Sequence, residues 1–287
     1  MHFRNETSLS LYGTVEKQVD FLVRHDCLRL HGEIHPFQRD HVLGPDVRFQ
    51  GRGRRPTRNG LVLLPHSVLE SLNRACDFLW YLPSETRVLF IAGNSHHIPL
   101  LEAVLMNVRT PSSSAVIEPE GNHAFLPTWM KGYVANWGQT RHSVQMYKAV
   151  RTVEERTQND PHNNFHPQSY GRYRVMSRRF EHASLEKPDI VFFLDGTQHE
   201  DALAECAAVD MPTVAVCHPS TDPRKATYPI LGNPQSLLFQ HFLLQLVVYA
   251  LSRSFSSHSW ERRERKNERE RAFALRTGPL VSPTGKD

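Results

Sequence analysis

The stretch PDIVFFLDGTQHEDALAECAAVDMPTVAVC (188–217) decides the fold class of this chain. Its two apolar runs, PDIVFFLD (188–195) and PTVAVC (212–217), are short and nearly continuous, which is typical of strands buried on both faces of a sheet. Between them, EDALAECAAV (200–209) has the apolar spacing of a helix. A strand, a helix and a second strand in this order predict a parallel βαβ unit.

The same alternation extends on both sides of this unit. RVLFIAG (87–93) predicts another buried strand and SAVIE (114–118) a third. Helical spacing recurs in four further segments: 67–82, 98–108, 142–158 and 233–252, the last with a proline near its first turn. We therefore predict an α/β fold, a Rossmann-like doubly wound parallel sheet covered on both faces.

Length and composition are those of a chain with a substantial core. The 287 residues are 39% hydrophobic and carry a formal net charge of +4. No apolar run approaches the roughly 18 residues that a membrane span needs, so no membrane contact is predicted. Residues 1–20 mix both charges and lack an apolar run, so neither a secretory signal nor an acid-free transit peptide is evident there.

The pattern divides the chain into three parts. Residues 1–58 show little periodicity and form a predicted N-terminal extension, and 59–254 form the α/β core, with 145–187 as a short, proline-interrupted insertion. Residues 255–287 form a tail that interleaves Lys and Arg with Glu. The tail is either a solvated helix held by pairs four residues apart, or a segment ordered by a large assembly.

Enzyme motifs are nearly absent. FLDGT (193–197) resembles the DxDGT motif of haloacid-dehalogenase phosphatases, but Phe193 stands where the nucleophilic Asp is needed. The sequence contains no GxGxxG after a strand, no GxxxxGK[ST] and no GxSxG. No catalytic residue is predicted, and a nucleotide-binding enzyme that uses the loop at Gly93 is kept as the alternative.

Metal and redox sites are not predicted either. The four cysteines form no CxxC pair, and we interpret Cys206 and Cys217 as buried, inert thiols. His96 and His97 are adjacent and point about 100° apart on a helix. His162 and His166 have helical spacing but lie between prolines. We therefore predict no metal and no cofactor.

The basic segments point instead to a polyanion. RFQGRGRRPTRNG (48–60) is broken by Gly and Pro, so it is either a solvated linker or an arm laid along phosphates, where each neutralised phosphate releases counterions. The candidate RNA-binding residues at the two ends of the chain are Arg48, Arg52, Arg54, Arg55 and Arg58 in the arm, and Arg262, Arg263 and Arg265 in the tail.

Three blocks in order resemble the bacterial and organellar form of the small-subunit ribosomal protein S2 family. TWMKGYVANWGQTRHSV (128–144) is similar to the family's RWLGGxLTNW block, 188–216 to its PDxxxxxD…E…A..EA..L.IP block, and STDPRKATYPILGNPQS (220–236) to its NSDP…IPGNDD block. Helical NGLVLLPHSVLESL (59–72) precedes them.

The resemblance implies a ribosomal protein without catalytic activity or cofactor. It would sit on ribosomal RNA between the head and body of the small subunit, beside neighbouring ribosomal proteins, and bind no small-molecule substrate. Asp195 would have a structural role: it would lead into a turn and cap the helix that carries Glu200. An assembly protein held mainly by protein contacts is the further alternative.

Departures from the family pattern point to an organelle. Thr128 and Lys131 replace the family's Arg and first Gly in the tryptophan block, and His218, Pro219 and Ser220 replace its DTN. The interval 145–187 is shorter than the family's helical hairpin. This drift, with basic extensions at both ends, predicts the mitochondrial ribosome, with a plastid as the alternative.

Further RNA contacts are predicted around the tryptophan block. There, Trp129 or Trp137 would pack against the sheet while Lys131 and Arg141 reach phosphate. SYGRYRVMSRRF (169–180) alternates donors with rings that can stack on bases. Its candidate residues are Arg172, Arg174, Arg178, Arg179, Tyr170 and Tyr173. A helix that faces a neighbouring protein is the alternative for this segment.

Overall fold

The computed structural model describes residues 17, 21–23, 27–31, 34–43, 60–83, 86–107, 123–157 and 179–251. Their strands are β1 (Arg29–His31), β2 (Val42–Leu43), β3 (Gly60–Leu63), β4 (Val88–Ile91), β5 (His123–Leu126), β6 (Ile190–Phe193), β7 (Thr213–Cys217) and β8 (Tyr228–Leu231). Their longer helices are α1 (Pro65–Trp80), α2 (His97–Asn107), α3 (Trp137–Thr157), α4 (Glu200–Ala208) and α5 (237–251).

Five of these strands form one parallel sheet in the order β5-β4-β6-β7-β8. Every residue of β4, β6 and β7 is buried, which explains why their sequences read as continuous apolar runs. Between β4 and β6 the direction of winding reverses, so the sheet has a topological switch point there. The predicted Rossmann-like α/β class is confirmed.

Alternate residues of the central strands enter two cores on opposite faces. Phe90 and Phe192 belong to the core beneath α1, α2 and α5, and their rings pack with centroids 5.3 Å apart. Leu89 and Val191 belong to the core beneath α3 and α4. Each fully buried side chain of this size contributes roughly 1.5–3 kcal/mol of transfer free energy. Helices on both faces are therefore what this sheet requires.

A second, three-stranded antiparallel sheet in the order β1-β3-β2 lies at the N-terminal side. Its β3 was expected to be helical within 59–72, but a helix begins only at Pro65, where the missing proline N–H costs nothing. The predicted domain boundary at residue 58 stays a prediction, although this sheet joins residues on both sides of it.

The same N-terminal residues are fastened to the loop after β7. Gln38 is fully buried, and its Nε2 donates hydrogen bonds to the carbonyl oxygens of His218 at 3.1 Å and Thr221 at 2.7 Å. The backbone N–H of His35 donates to the carbonyl of Pro219 at 2.7 Å. Residues 34–43 are therefore part of the folded body of the molecule.

Other elements differ from the sequence predictions. The third strand expected at 114–118 lies outside the described residues, and the strand beside β4 is β5. β8 was not predicted, because Pro229 argues against a central strand; β8 lies at the sheet edge, where proline is tolerated. The last helix begins at 237 instead of 233, so Pro234 precedes it.

Candidate functional site

Asp195 lies at the carboxyl end of β6, beside the end of β4. Its side chain is 1% exposed; Oδ1 accepts a hydrogen bond from the Thr197 N–H at 3.0 Å and Oδ2 accepts one from Gln235 Nε2 at 3.2 Å. The Thr197 contact reaches the first residue of the short 3-10 turn that precedes α4, so Asp195 supports that turn and does not cap α4 itself. A Cβ placed on Gly93 would come within 2.2 Å of the Asp195 Cβ, so only glycine fits there.

At the switch point, a crevice lies between the carboxyl ends of β4 and β6. Polar side chains close this crevice from both sides. His97 is fully buried, and its Nδ1 accepts a hydrogen bond from the Gly93 N–H at 3.1 Å. His199 Nε2 lies 3.2 Å from the Ala92 carbonyl oxygen, and Gln240 Nε2 donates to the Leu194 carbonyl at 2.7 Å. Nucleotides bind in this crevice in other open α/β sheets. Here the chain's own side chains occupy it.

The histidines of this crevice are held in the neutral form. Burial lowers the pKa of His97, against the opposing effect of the nearby Asp195 charge. Burial also lowers the pKa of His199, which the contact with Ala92 only partly offsets. A neutral imidazole suits His97, because its Nδ1 must keep a lone pair to accept from Gly93.

The described residues contain no group of three or more His, Cys, Asp or Glu side chains placed to hold a metal ion. Burial raises the pKa of the Cys206 and Cys217 thiols to about 12, so both stay protonated near neutral pH. His162 and His166, whose spacing was weighed above, lie outside the described residues.

The tryptophan block is organised by a carboxylate from α4. Glu205 Oε2 accepts hydrogen bonds from Trp129 Nε1 at 3.1 Å and from the Gly132 N–H at 2.8 Å. Its Oε1 accepts from the N–H groups of Val134 and Ala135, both at 3.1 Å. One side chain thus gathers four donors of the 129–135 loop, some 70 residues away in sequence.

These contacts set the protonation state of Glu205. Desolvation opposes its ionisation, but the hydrogen bonds from Gly132, Ala135, Trp129 and Val134 together outweigh it and lower the pKa. Hydrogen bonds to an ionised carboxylate are roughly twice as strong as those between neutral groups. The loop is therefore held by a carboxylate that stays ionised near neutral pH.

Sequence reasoning missed Glu205. The only signal was its place as the Glu of the EA pair in the family's helical block, because the donors it gathers are mostly backbone amides.

Both tryptophans of the block are partly buried and pack against the core beneath α3 and α4, where one of them was expected to pack against the sheet. The Trp129 ring packs 5.7 Å from Tyr133 and 5.7 Å from Phe193, and Tyr133 packs 5.8 Å from Trp137. Gly132 has a φ of +81°, a conformation that L side chains rarely adopt. This turn leaves the preceding residue, Lys131, exposed while its neighbours pack inward.

Three of the predicted RNA-binding residues fall within the described part, and all three are exposed. Lys131 lies in the tryptophan loop, Arg141 one turn into α3, and Arg179 before the turn that leads to β6. Lys131 and Arg141 are thus close in the sequence, and both side chains are exposed to solvent. The other candidates lie outside the described residues: Arg48, Arg52, Arg54, Arg55, Arg58, Tyr170, Arg172, Tyr173, Arg174, Arg178, Arg262, Arg263 and Arg265.

The buried strands, the clamped tryptophan loop and the closed crevice all lie within the range matched by one family model. That model, ribosomal protein S2, matches residues 58–254. The chain belongs to the ribosomal protein S2 family. S2 proteins are structural proteins of the small ribosomal subunit, so the family implies ribosomal RNA and ribosomal proteins as partners. No described helix of this S2 protein is both long and apolar enough to cross a membrane.

Proposed function

We propose that this S2 protein is a non-catalytic constituent of the mitochondrial small ribosomal subunit, seated on ribosomal RNA between head and body. The observation that carries the proposal is the Glu205 clamp. It holds the family's tryptophan loop in one conformation, with Lys131 exposed to solvent next to the Gly132 turn.

The Glu205 clamp supports RNA binding because it holds Lys131, a hydrogen-bond donor to phosphate, on a fixed turn. Backbone contacts fix a protein on its nucleic acid without reading sequence. Lys131 and Arg141 are exposed, and neither takes part in a described salt bridge, so their charges are available to phosphate. Holding Lys131 on a fixed turn lowers the ordering cost of binding.

The closed crevice favours this role over the enzyme alternative. A nucleotide at Gly93 would have to displace the buried Asp195 carboxylate from its two hydrogen bonds. Removing a partner from a buried polar group costs about 1–3 kcal/mol. The loops after β4 and β6 are thus suited to hold the fold together.

The organellar assignment rests on sequence. Lys131 replaces a family glycine, and His218, Pro219 and Ser220 replace the family's DTN. Pro219 and His218 now anchor the N-terminal residues His35 and Gln38 through their carbonyl oxygens. A plastid ribosome is the alternative location.

One observation favours protein neighbours on a second face. Met146 and Val153 lie seven residues apart on α3 and are 50% and 45% exposed, so they share a side of the helix. An apolar strip of this kind suits a protein contact better than phosphate. We propose that this face of α3 meets a neighbouring ribosomal protein.

Organelle fractionation tests the proposal. Mitochondria and plastid or cytosolic fractions are lysed at low salt, separated on sucrose gradients, and probed for this chain by mass spectrometry. We expect the chain in the small-subunit peak of the mitochondrial gradient. Recovery only near the position of a free 33.0 kDa protein would refute a ribosomal role, and recovery in another compartment would refute the location.

A further inference from the structure

A groove of about 810 Å³ lies between α1 and the edge strand β8. Its lining includes Phe78 and Tyr228, whose rings stack with centroids 4.1 Å apart, and Leu82. Tyr81 stands at one end of the groove and is 78% exposed, the most exposed large hydrophobic side chain of the described residues. An open groove of this size with an aromatic lining is typical of binding surfaces.

The edge of β8 limits what the groove accepts. The Leu231 N–H donates to Ser71 Oγ on α1 at 3.0 Å, and two residues earlier Pro229 has no N–H. Alternate residues of a strand present their N–H groups to the same side, so this side of β8 has no free donor at either position. An added strand would find no N–H donor at these two positions, which weakens pairing there. The groove is suited to inserted side chains instead.

The described chain ends near the C-terminal end of α1, the helix that forms one wall of the groove. The Tyr249 ring, near the end of α5, lies 6.2 Å from the ring of Trp80, and Trp80 directly precedes Tyr81. Leu251 is the last described residue and is 2% exposed. The last described turn of α5 is therefore beside the C-terminal end of α1.

We propose that the chain's own C-terminal segment occupies the groove, with Phe255 and Trp260 inserted into its aromatic lining. A fully extended chain spans at most about 3.3–3.6 Å per residue, so Phe255 reaches about 13 Å and Trp260 about 30 Å from Leu251. The helical path from Ser67 to Tyr81, both lining the groove, is about 21 Å long. Both aromatic residues lie within reach.

Tethering favours this occupant over a separate protein. A short linker raises the effective concentration of the attached segment to the millimolar range. Even an intrinsic affinity of about 1 mM, roughly −4.1 kcal/mol, is then enough to fill a large share of the grooves. A neighbouring protein would have to compete for the groove with a segment that is covalently attached to the same chain.

Photo-crosslinking of the purified full-length chain tests this directly. The variant Tyr81→p-benzoylphenylalanine places a reactive group at the end of the groove, and Met146→p-benzoylphenylalanine is the matched control at an exposed site on α3. Both side chains are already exposed to solvent, so neither substitution should disturb folding. Because a tethered segment has a millimolar effective concentration, we expect at least about fivefold more intrachain crosslinks into 252–287 from position 81 than from 146.

A second comparison identifies the residues that dock. In the Tyr81 crosslinking background, Phe255→Ala with Trp260→Ala should lower the intrachain yield at least about threefold, as expected when the anchors of a tethered contact are lost. Equal yields from positions 81 and 146, crosslinks only to a second copy, or a yield unaffected by the double change would overturn the proposal. The test uses no ribosome, so its outcome is independent of the proposed function.

Discussion

The carboxylate of Glu205 on α4 and the backbone N–H of Gly132 are joined by a 2.8 Å hydrogen bond. This contact links the strand–helix–strand unit that defines the fold to the loop that presents Lys131. The same carboxylate holds three further donors, so the conformation of the loop depends on one side chain.

Glu205→Ala should therefore destabilise the protein more than a surface change of the same kind. The substitution leaves one indole and three backbone N–H groups without their acceptor, and we expect the free energy of unfolding to fall by about 2–4 kcal/mol. Urea unfolding followed by tryptophan fluorescence measures this. The control is Glu70→Ala, which removes an exposed partner of Arg74 and should cost less than about 1 kcal/mol. Equal effects of the two changes would contradict the clamp.

Gly132→Ala should strain the turn that presents Lys131. The φ of +81° disfavours any L side chain, and the new Cβ would lie 2.8 Å from Asn136 Nδ2. We expect a loss of about 1–2 kcal/mol in the free energy of unfolding. Gly138→Ala is the matched control, because it lies in α3 and its Cβ would meet nothing within 4 Å. That change should be neutral or stabilise by up to about 1 kcal/mol.

Gly93→Ala should disrupt the junction between β4 and β6. The added methyl group would overlap Asp195, whose Cβ would be 2.2 Å away, and neither residue can move without breaking buried hydrogen bonds. Overpacking of this kind costs about 1–3 kcal/mol or more. Thermal unfolding should show a lowered midpoint. An unchanged midpoint would mean that the crevice is loose enough to admit a ligand.

The buried histidines predict that acid weakens the fold. Burial lowers the pKa of His123 to about 4, and burial also lowers the pKa of His97 and His199. The unfolded chain, whose histidines titrate near 6.5, then binds these protons more readily than the folded chain. Stability is therefore complete above about pH 6.5 and declines as the pH falls toward 4.

This pH dependence can be assigned to single residues. His123→Phe should remove about 1–3 kcal/mol of the difference between the free energies of unfolding at pH 7 and pH 4.5. His66→Gln, a change at an exposed histidine on α1, should leave the difference as it is. Denaturant titrations at the two pH values measure both. If neither substitution changes the difference, His123 is not held neutral by burial.

The sequence predicted those elements whose local pattern matches their environment. β6 and β7 are buried on both faces and read as apolar runs, and Glu200–Ala208 has a buried stripe formed by Ala202, Leu203 and Cys206. β8 escaped prediction because its proline is tolerated only through its place at the sheet edge. That place is a property of the tertiary fold.

The functional site was predicted less completely for a similar reason. Exposure of Lys131 and Arg141 follows from charge and could be anticipated. The Glu205 clamp could not, because three of its four donors are backbone amides, which every residue except proline carries. The closed crevice likewise depends on Gln235 and Gln240, which lie beyond β8 in the sequence.

Retention on the small subunit through a salt gradient is the sharpest test of RNA binding through Lys131 and Arg141. Small subunits are prepared from cells that express either the wild-type chain, Lys131→Ala with Arg141→Ala, or the charge-matched control Arg39→Ala with Arg74→Ala, whose sites are exposed elsewhere. We expect the first variant to leave the subunit at lower salt, because two phosphate contacts that stabilise the complex are lost; the slope of log affinity against log salt should also become shallower by about 0.7–0.9 for each lost contact. The control should be released together with the wild-type chain. Release of all three chains at the same salt concentration would contradict RNA binding by the tryptophan loop.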